Sequence, residues 1–256
     1  MGSERIIIET LSGRCYWSCC NLFSMKDLAS SKLFEIFVIN LDSRPDRLFQ
    51  MKEQLPNSFT RVSAIDGAKG DIVSEHQALT SAPSLACWLS HVKAYETFLA
   101  SNLKYALILE DDADFQYIEN FEAELNVWLE LLEMEKLNVL QIGSMGDFRI
   151  RSRFKNFLHK SISPHSKQVR KRYPNLVFNS FVPGAHAYFV DRKAAKLISR
   201  LNSPAYLPSD GVLMYLAAAQ LAYGRLRMAR LRPAKIVQFE VNESNPTSNP
   251  TTASGD

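Results

Sequence analysis

Long apolar runs are missing from this chain. No stretch approaches the ~20 residues that a helix needs to cross a bilayer, and RIIIETL near the start is shorter than the apolar core of a signal peptide. The reading is a soluble protein. Cysteine is scarce too: of four, Cys15, Cys19 and Cys20 crowd the N-terminus and Cys87 stands alone. That pattern matches neither a disulfide framework nor paired zinc ligands, and there is no ligand-spaced Cys or His pair. The cysteines therefore point away from zinc and toward a reducing compartment such as the cytoplasm. A charge excess is also lacking. The formal net charge of +3 is too small to imply nucleic acid. No internal repeat is present.

What remains is globular, with 46% hydrophobic and 22% charged residues over 256 positions, enough for one domain with its own core. Residues 1–33 differ in composition from the rest and form a leader, either a flexible extension or a start placed upstream of Met25. The domain is expected over 34–240. Residues 241–256 are rich in Asn, Pro, Ser and Thr and are expected to be a disordered tail. The tail carries Asn242-Glu243-Ser244, a glycosylation sequon that matters only if the chain enters a secretory lumen.

FEIFVINL (34–41) is an apolar run of the length of a strand buried on both faces. A helix should follow, with Ser43 as N-cap, Pro45 near its first position and Leu48, Met51 and Leu55 on one face. Arg44 and Arg47 in its first turn oppose the helix dipole by ~0.3 to 1 kcal/mol each. A bound anion would reverse that sign; two exposed, salt-screened arginines are the alternative. TRVSAIDG (60–67) is a short strand entering an Asp-Gly turn. Pro83 and Ser84 open a helix containing Ser90, His91 and Lys93. YALIL is a buried strand, followed by acids and a long amphipathic helix near 117–135. LNVLQIG (137–143) and GAHAYFV are strands, RKAAKLISRL and LPSDGVLMYLAAAQ are helices, and AKIVQF is a last strand. Strands alternating with helices indicate an α/β fold with a mostly parallel sheet. Between them, residues 149–172 hold nine Lys or Arg and no acid. This is either a solvated loop or a surface for acidic acceptors or anionic lipid headgroups, and hence a peripheral membrane contact.

The sharpest signal is ALILEDDADF. In parallel α/β sheets ligands bind beyond the carboxyl ends of strands, and YALIL delivers Glu110, Asp111 and Asp112 to that place. In extended geometry Glu110, Asp112 and Asp114 face one way and Asp111 the other. Clustered hard oxygen ligands suit Mg²⁺ or Mn²⁺, which would relieve their repulsion and could hold a diphosphate. The alternative is that Asp112 or Asp114 caps the following helix.

VINLDSRPDRL, FTRVSAIDG, LACWLSHVKAYE, YALILEDDADF and GAHAYFVDRKAAKLI with LPSDGVL occur in the order and approximate spacing of glycosyltransferase family 25, which the chain resembles over roughly residues 34–240. The resemblance implies a GT-A-like nucleotide-sugar fold and an inverting transfer, commonly of galactose from UDP-galactose to a glycan or glycolipid acceptor, as in lipopolysaccharide biosynthesis. By motif match Glu110, Asp111 and Asp112 stand where the family has its metal-binding acids, with Glu110 and Asp112 as metal ligands and Asp111 toward the donor. Asn40, Asp42, Arg44 and Arg47 would line the nucleotide pocket, Ser90 and His91 match the LSH segment, and His186 matches a later GxHAY segment. Asp210 is the candidate base and Asp66 the second choice. The leader, the basic insertion and the residue after Asp210, often His in the family and Gly211 here, depart from the pattern. Two other classes compete: a non-catalytic descendant that binds a nucleotide sugar or partner protein, and an aspartate-dependent phosphatase, which should instead show its acids near the first strand.

Overall fold

The structure is a computed structural model whose described residues are 33–55, 58–76, 78–145, 175–223 and 226–238. The expectations for the leader before Leu33, the basic segment 149–172 and the tail 241–256 lie outside the described residues.

FEIFVIN folds as β1 (Phe34–Asn40). Its side chains alternate between two apolar layers, Ile36 and Val38 on one face and Phe37 and Ile39 on the other, which is why those four successive positions are all apolar. Helix α1 (Pro45–Gln54) follows with Pro45 at its start and Met51 buried. Its N-cap is Arg44, not Ser43, and no side chain caps it. Leu41 O accepts from Arg44 N at 2.9 Å and Asn40 Nδ2 donates to Arg44 O at 2.9 Å. That turn takes up Ser43 before the helix begins.

Next come β2 (Thr60–Ser63), α2 (Ile72–Glu75) and α3 (Ala82–Ala100). Trp88, His91, Tyr95 and Phe98 recur on α3 at helical spacing and are all buried. The chain continues through β3 (Tyr105–Glu110), β4 (Ala113–Asp114), α4 (Phe121–Met134) and β5 (Val139–Gln141). It ends with β6 (Leu176–Phe178), β7 (Ala187–Asp191), α5 (Arg192–Leu201), α6 (Ser209–Tyr223), β8 (Met228–Leu231) and β9 (Val237–Gln238).

Seven strands form one sheet in the order β2-β1-β3-β7-β5-β8-β6. β2, β1, β3, β5 and β8 share a direction, while β7 and β6 run against it. The α/β class and mostly parallel sheet therefore hold, in an arrangement compatible with a GT-A-like fold. One face of the sheet is covered by α3, α5 and α6, through residues such as Leu85, Ala194 and Leu213; the other is covered by α1 and α4, through Met51, Trp128 and Leu131.

Two sheet strands escape the periodicity reading. β8 carries Arg230, which is buried with Nε donating to Ser180 Oγ at 3.0 Å, so a charged letter hides an interior strand. β6 has three residues and little signal of its own. The AKIVQF segment supplies β9, which pairs with β4 in a separate two-stranded sheet, and a parallel bridge from Ile236 to Gly143.

Candidate active site

Strand direction assembles the site. β1 and β3 are parallel and end side by side, with Ile39 paired to Glu110. β7 is antiparallel to β3, so it begins where β3 ends. Glu110 N donates to His186 O at 2.9 Å, and continuing the pairing of Leu109 with Ala187 places Glu110 opposite His186 on the same face. Gly143, just past β5, lies against the other side of β7. A Cβ there would sit 2.7 Å from Ala187 Cβ and 2.8 Å from His186 Nε2, so the glycine makes room for the imidazole.

The strand alternation splits the acids as its period requires. Glu110 turns to the α3 face, where its Oε1 lies 3.0 Å from His91 Nε2. His91 Nδ1 is 2.8 Å from Tyr188 Oη, which is 2.5 Å from Tyr95 Oη, so a buried polar chain runs back from the carboxylate. Asp111 turns to the α1 face and accepts from Asn40 Nδ2 at 2.7 Å and from Arg47 Nη1 at 3.1 Å. Asp112 Oδ2 accepts from Gln238 Nε2 at 2.6 Å and lies 3.8 Å from Arg47 Nη1. Its other oxygen, Oδ1, is buried with no hydrogen-bond partner among the described residues, and so is His186 Nδ1.

Asp114 does not join the cluster expected for Glu110, Asp112 and Asp114. The chain turns at Asp111 and Asp112 and Asp114 enters β4, where its carboxylate accepts from Gln116 N at 2.9 Å and Gln116 Nε2 at 2.7 Å. Neither Asp112 nor Asp114 caps α4, which Asn120 does through Ala123 N at 3.0 Å.

Electrostatics separate the three carboxyls further. Burial raises Glu110, but the His91 hydrogen bond and the charges of His91, His186 and Arg47 outweigh it, and Glu110 stays below its ordinary value. Burial and then the Glu110 charge push Asp112 up to about 7, against the Gln238 hydrogen bond and Arg47. Burial lowers His186, favouring the neutral ring. Its Nε2 faces Ile236 O at 3.4 Å; a proton on Nε2 leaves the lone pair on Nδ1.

The remaining expected site residues are placed as follows. Asp210 is half-buried in the first turn of α6; its Oδ2 accepts from Gly184 N at 3.2 Å and its Oδ1 from Gly211 N at 2.8 Å. Burial first, and then the charges of Glu110, Asp210 and Asp112 among others, raise the Cys87 thiol. Asp66 lies beyond the edge strand β2, its Oδ1 closing its own turn through Ala68 N at 3.0 Å. Asp42 is held by Arg61 and by Ser63 Oγ at 2.9 Å. Arg44 pairs with Asp46 at 2.7 Å, while Arg47 takes Asp111. The anion that these opposed arginines called for is thus supplied, at least in part, by the chain itself. Ser90 is buried, its Oγ donating to Ala86 O at 2.7 Å and accepting from Ile65 N at 2.8 Å.

Sequence reasoning missed Cys87. The expectation that no Cys or His pair has ligand spacing is corrected, because Cys87 and His91 stand four residues apart on α3 and therefore share a face. With Glu110 they offer donor atoms all within 4.8 Å of one another, a group that could hold a metal ion. Tyr95, Tyr188 and Gln238 were missed as well, since their roles arise only through distant pairing. No helix among the described residues is long and apolar enough to cross a membrane.

The profile of glycosyltransferase family 25 (LPS biosynthesis protein) matches residues 34–213. Among curated proteins, the chain is 25% identical over 231 residues to the "Probable inactive glycosyltransferase 25 family member 3" of Bos taurus, covering 81% of this chain and 36% of that protein. It is 26% identical over 200 residues to the "Inactive glycosyltransferase 25 family member 3" of Homo sapiens, covering 70% and 31%. The chain thus spans about a third of the length of these relatives.

Proposed function

The chain belongs to glycosyltransferase family 25, and on that premise we propose that it transfers a hexose, in the first instance galactose, from a UDP-sugar to a glycan or glycolipid hydroxyl with the help of Mn²⁺ or Mg²⁺. The observation that carries this reading is the buried, unpartnered Oδ1 of Asp112 beside Glu110 at the carboxyl end of the sheet. Leaving such an oxygen without a partner is expensive, and the hard oxygen donors of Asp112 and Glu110 fit a divalent cation. When bound, that cation would offset the charge developing on the leaving diphosphate.

The protein's own groups have separate tasks. Asn40, Asp42, Arg44, Arg47 and Asp111 form the donor side, where Arg47 can exchange part of its carboxylate contact for phosphate. His186, whose Nδ1 has no partner among the described residues, would be available to the donor. Ser90 and His91 act from behind, Ser90 fixing the segment after β2 and His91 orienting Glu110. The acceptor oxygen attacks the anomeric carbon, the bond to UDP breaks on the opposite side, and the acceptor proton passes to Asp210, with Asp66 as the second candidate. An ordinary carboxylate suffices because the hydroxyl acidifies as its bond to the sugar forms. Residues 149–172 would serve the acceptor or a peripheral membrane contact, in the cytoplasm or, for a chain that enters it, the secretory lumen.

A second reading is favoured by the names of the relatives, both called inactive: a non-catalytic member that retains nucleotide-sugar binding. Release of UDP from UDP-galactose and UDP-glucose, measured with Mn²⁺ and with chelator, decides between them. Metal-dependent release supports the transferase. Metal-dependent UDP binding without release under any acceptor condition supports the binding protein, and neither binding nor release rejects both.

A further inference from the structure

We infer that Cys87, His91 and Glu110 form a binding site for a thiophilic divalent cation of the zinc class, different in chemistry from the hard-cation position at Asp112. The inference does not depend on the transfer reaction proposed above, although the two positions share Glu110.

The geometry is close to what such an ion needs. Cys87 and His91 project from one face of α3, Glu110 ends the strand beneath, and the three donor atoms lie within 4.8 Å of one another. His91 Nε2 and Glu110 Oε1 are already 3.0 Å apart. Zinc bonds of about 2.3 Å to sulfur and 2.0 to 2.2 Å to nitrogen and oxygen place tetrahedral donors about 3.3 to 3.6 Å from one another. The thiol therefore has to approach by about an ångström or less, giving up its 3.1 Å contact with Ser209 Oγ.

The surroundings fit as well. A metal-bound imidazole uses its other nitrogen to hold its tautomer and orientation, and His91 Nδ1 faces Tyr188 Oη at 2.8 Å, backed by Tyr95. With Nδ1–H donating to Tyr188, the Nε2 lone pair becomes available to the ion once the proton between Nε2 and Glu110 is displaced. An independent feature is His186, opposite Glu110 on the same face of the sheet, its buried Nδ1 unpartnered among the described residues. It would be a candidate for a fourth donor if the ring turned toward the ion. A set of sulfur, nitrogen and oxygen selects zinc over magnesium or manganese, which prefer all-oxygen sets. On binding, the thiol proton and any proton shared by His91 and Glu110 pass to solvent as the ion takes their place.

Because Glu110 is shared, occupation by zinc draws this carboxylate from the donor side and should weaken Mn²⁺-supported UDP binding. The test uses the full chain with Cys15, Cys19 and Cys20 replaced by Ser, which removes the other thiols, and Co²⁺ as a spectroscopic stand-in. The expected result is one equivalent of Co²⁺ with a thiolate charge-transfer band and tetrahedral ligand-field bands, displaced by Zn²⁺. Cys87→Ser in that background should abolish the charge-transfer band and weaken Zn²⁺ binding by at least ~10-fold. X-ray absorption of the zinc-loaded chain with Cys15, Cys19 and Cys20 replaced by Ser and Cys87 intact provides a reading free of folding effects: one sulfur at about 2.3 Å supports the site. Asp112→Asn should leave the cobalt spectrum intact while removing Mn²⁺-dependent UDP binding, so the two positions fail independently. A metal shell without sulfur, unchanged zinc affinity in Cys87→Ser, or loss of the cobalt bands in Asp112→Asn overturns the inference.

Discussion

Asp112→Asn tests the cluster most directly, because the structure predicts opposite effects on stability and on binding. The folded protein holds the Asp112 proton up to about pH 7 instead of the ordinary 3.8, through burial and the nearby Glu110 charge. The unfolded chain releases it near its ordinary value. Between those two values folding takes up a proton, so stability from this group falls as pH rises, and above about pH 7 the full penalty is present. At 1.36 kcal/mol per pKa unit, the ceiling is about 4 kcal/mol. Water reaching the side chain, which is 14% exposed, and relaxation around Glu110 reduce it. Asparagine keeps an oxygen for Gln238 and carries no charge to be repelled by Glu110. The expected gain in chelator at about pH 8 is therefore roughly 1 to 3 kcal/mol, or about 3 to 9 °C in melting temperature. It should shrink toward zero near pH 4. Thermal and denaturant unfolding of both proteins across that range measures it, and calorimetry with UDP should show that Mn²⁺ tightens the wild type and not the variant. A variant no more stable at pH 8, or equally stabilised at every pH, would refute the assignment of Asp112 as the strained acid. A stabilised variant that still binds UDP through metal would move the cation elsewhere.

Asp210→Asn should lower kcat for transfer by ~10² to 10⁴ and spare UDP affinity; an equal loss of donor binding would make Asp210 a donor ligand, and near-normal turnover would remove it from the mechanism. Gly143→Ala should destabilise by ~1 to 3 kcal/mol, because the new Cβ meets Ala187 Cβ at 2.7 Å and His186 Nε2 at 2.8 Å; an unchanged denaturation midpoint would contradict the packing of His186. Neutralising Arg170, Lys171 and Arg172 together should raise the acceptor KM and spare the donor KM, with an effect that fades at high salt; no change at low salt would make the segment a solvated loop.

The parts of the fold that could be read from the letters are those whose signal is local. The centres of FEIFVIN and YALIL are buried on both faces, so IFVI and ALIL are unbroken apolar runs and the strands announce themselves. The helix from Ala82 likewise follows from its Pro83, although its buried face runs through Trp88, His91, Tyr95 and Phe98 rather than through Leu89, Val92, Glu96 and Leu99. β8 was hidden because Arg230 finds Ser180 through a pairing that no local pattern encodes. In the site, the acids were legible as a group, and their division between faces followed from strand alternation for Glu110 and Asp111. It failed at Asp114 because the chain leaves the strand after Glu110. Cys87 was overlooked although its spacing to His91 was there to read; the third donor, Glu110, comes from a strand 19 residues beyond His91, and only the packing of α3 on β3 brings it near.

The division of the acids also separates their roles. Asp111 meets Asn40 and Arg47 on the α1 face and is satisfied without any ligand. Its removal would strand a cation close to Asp112, so loss of activity in an Asp111 variant would not by itself identify a metal ligand. Glu110 is answered by His91 on the opposite face, and Asp112 keeps one oxygen unanswered among the described residues. A shift of one residue in the pairing of β3 would exchange the faces of Glu110 and Asp111 and uncouple both from their partners. The register between Ile39 and Glu110 therefore matters to the site as much as the acids themselves: it leaves one carboxylate tied to a guanidinium, one to an imidazole, and a third open to a ligand.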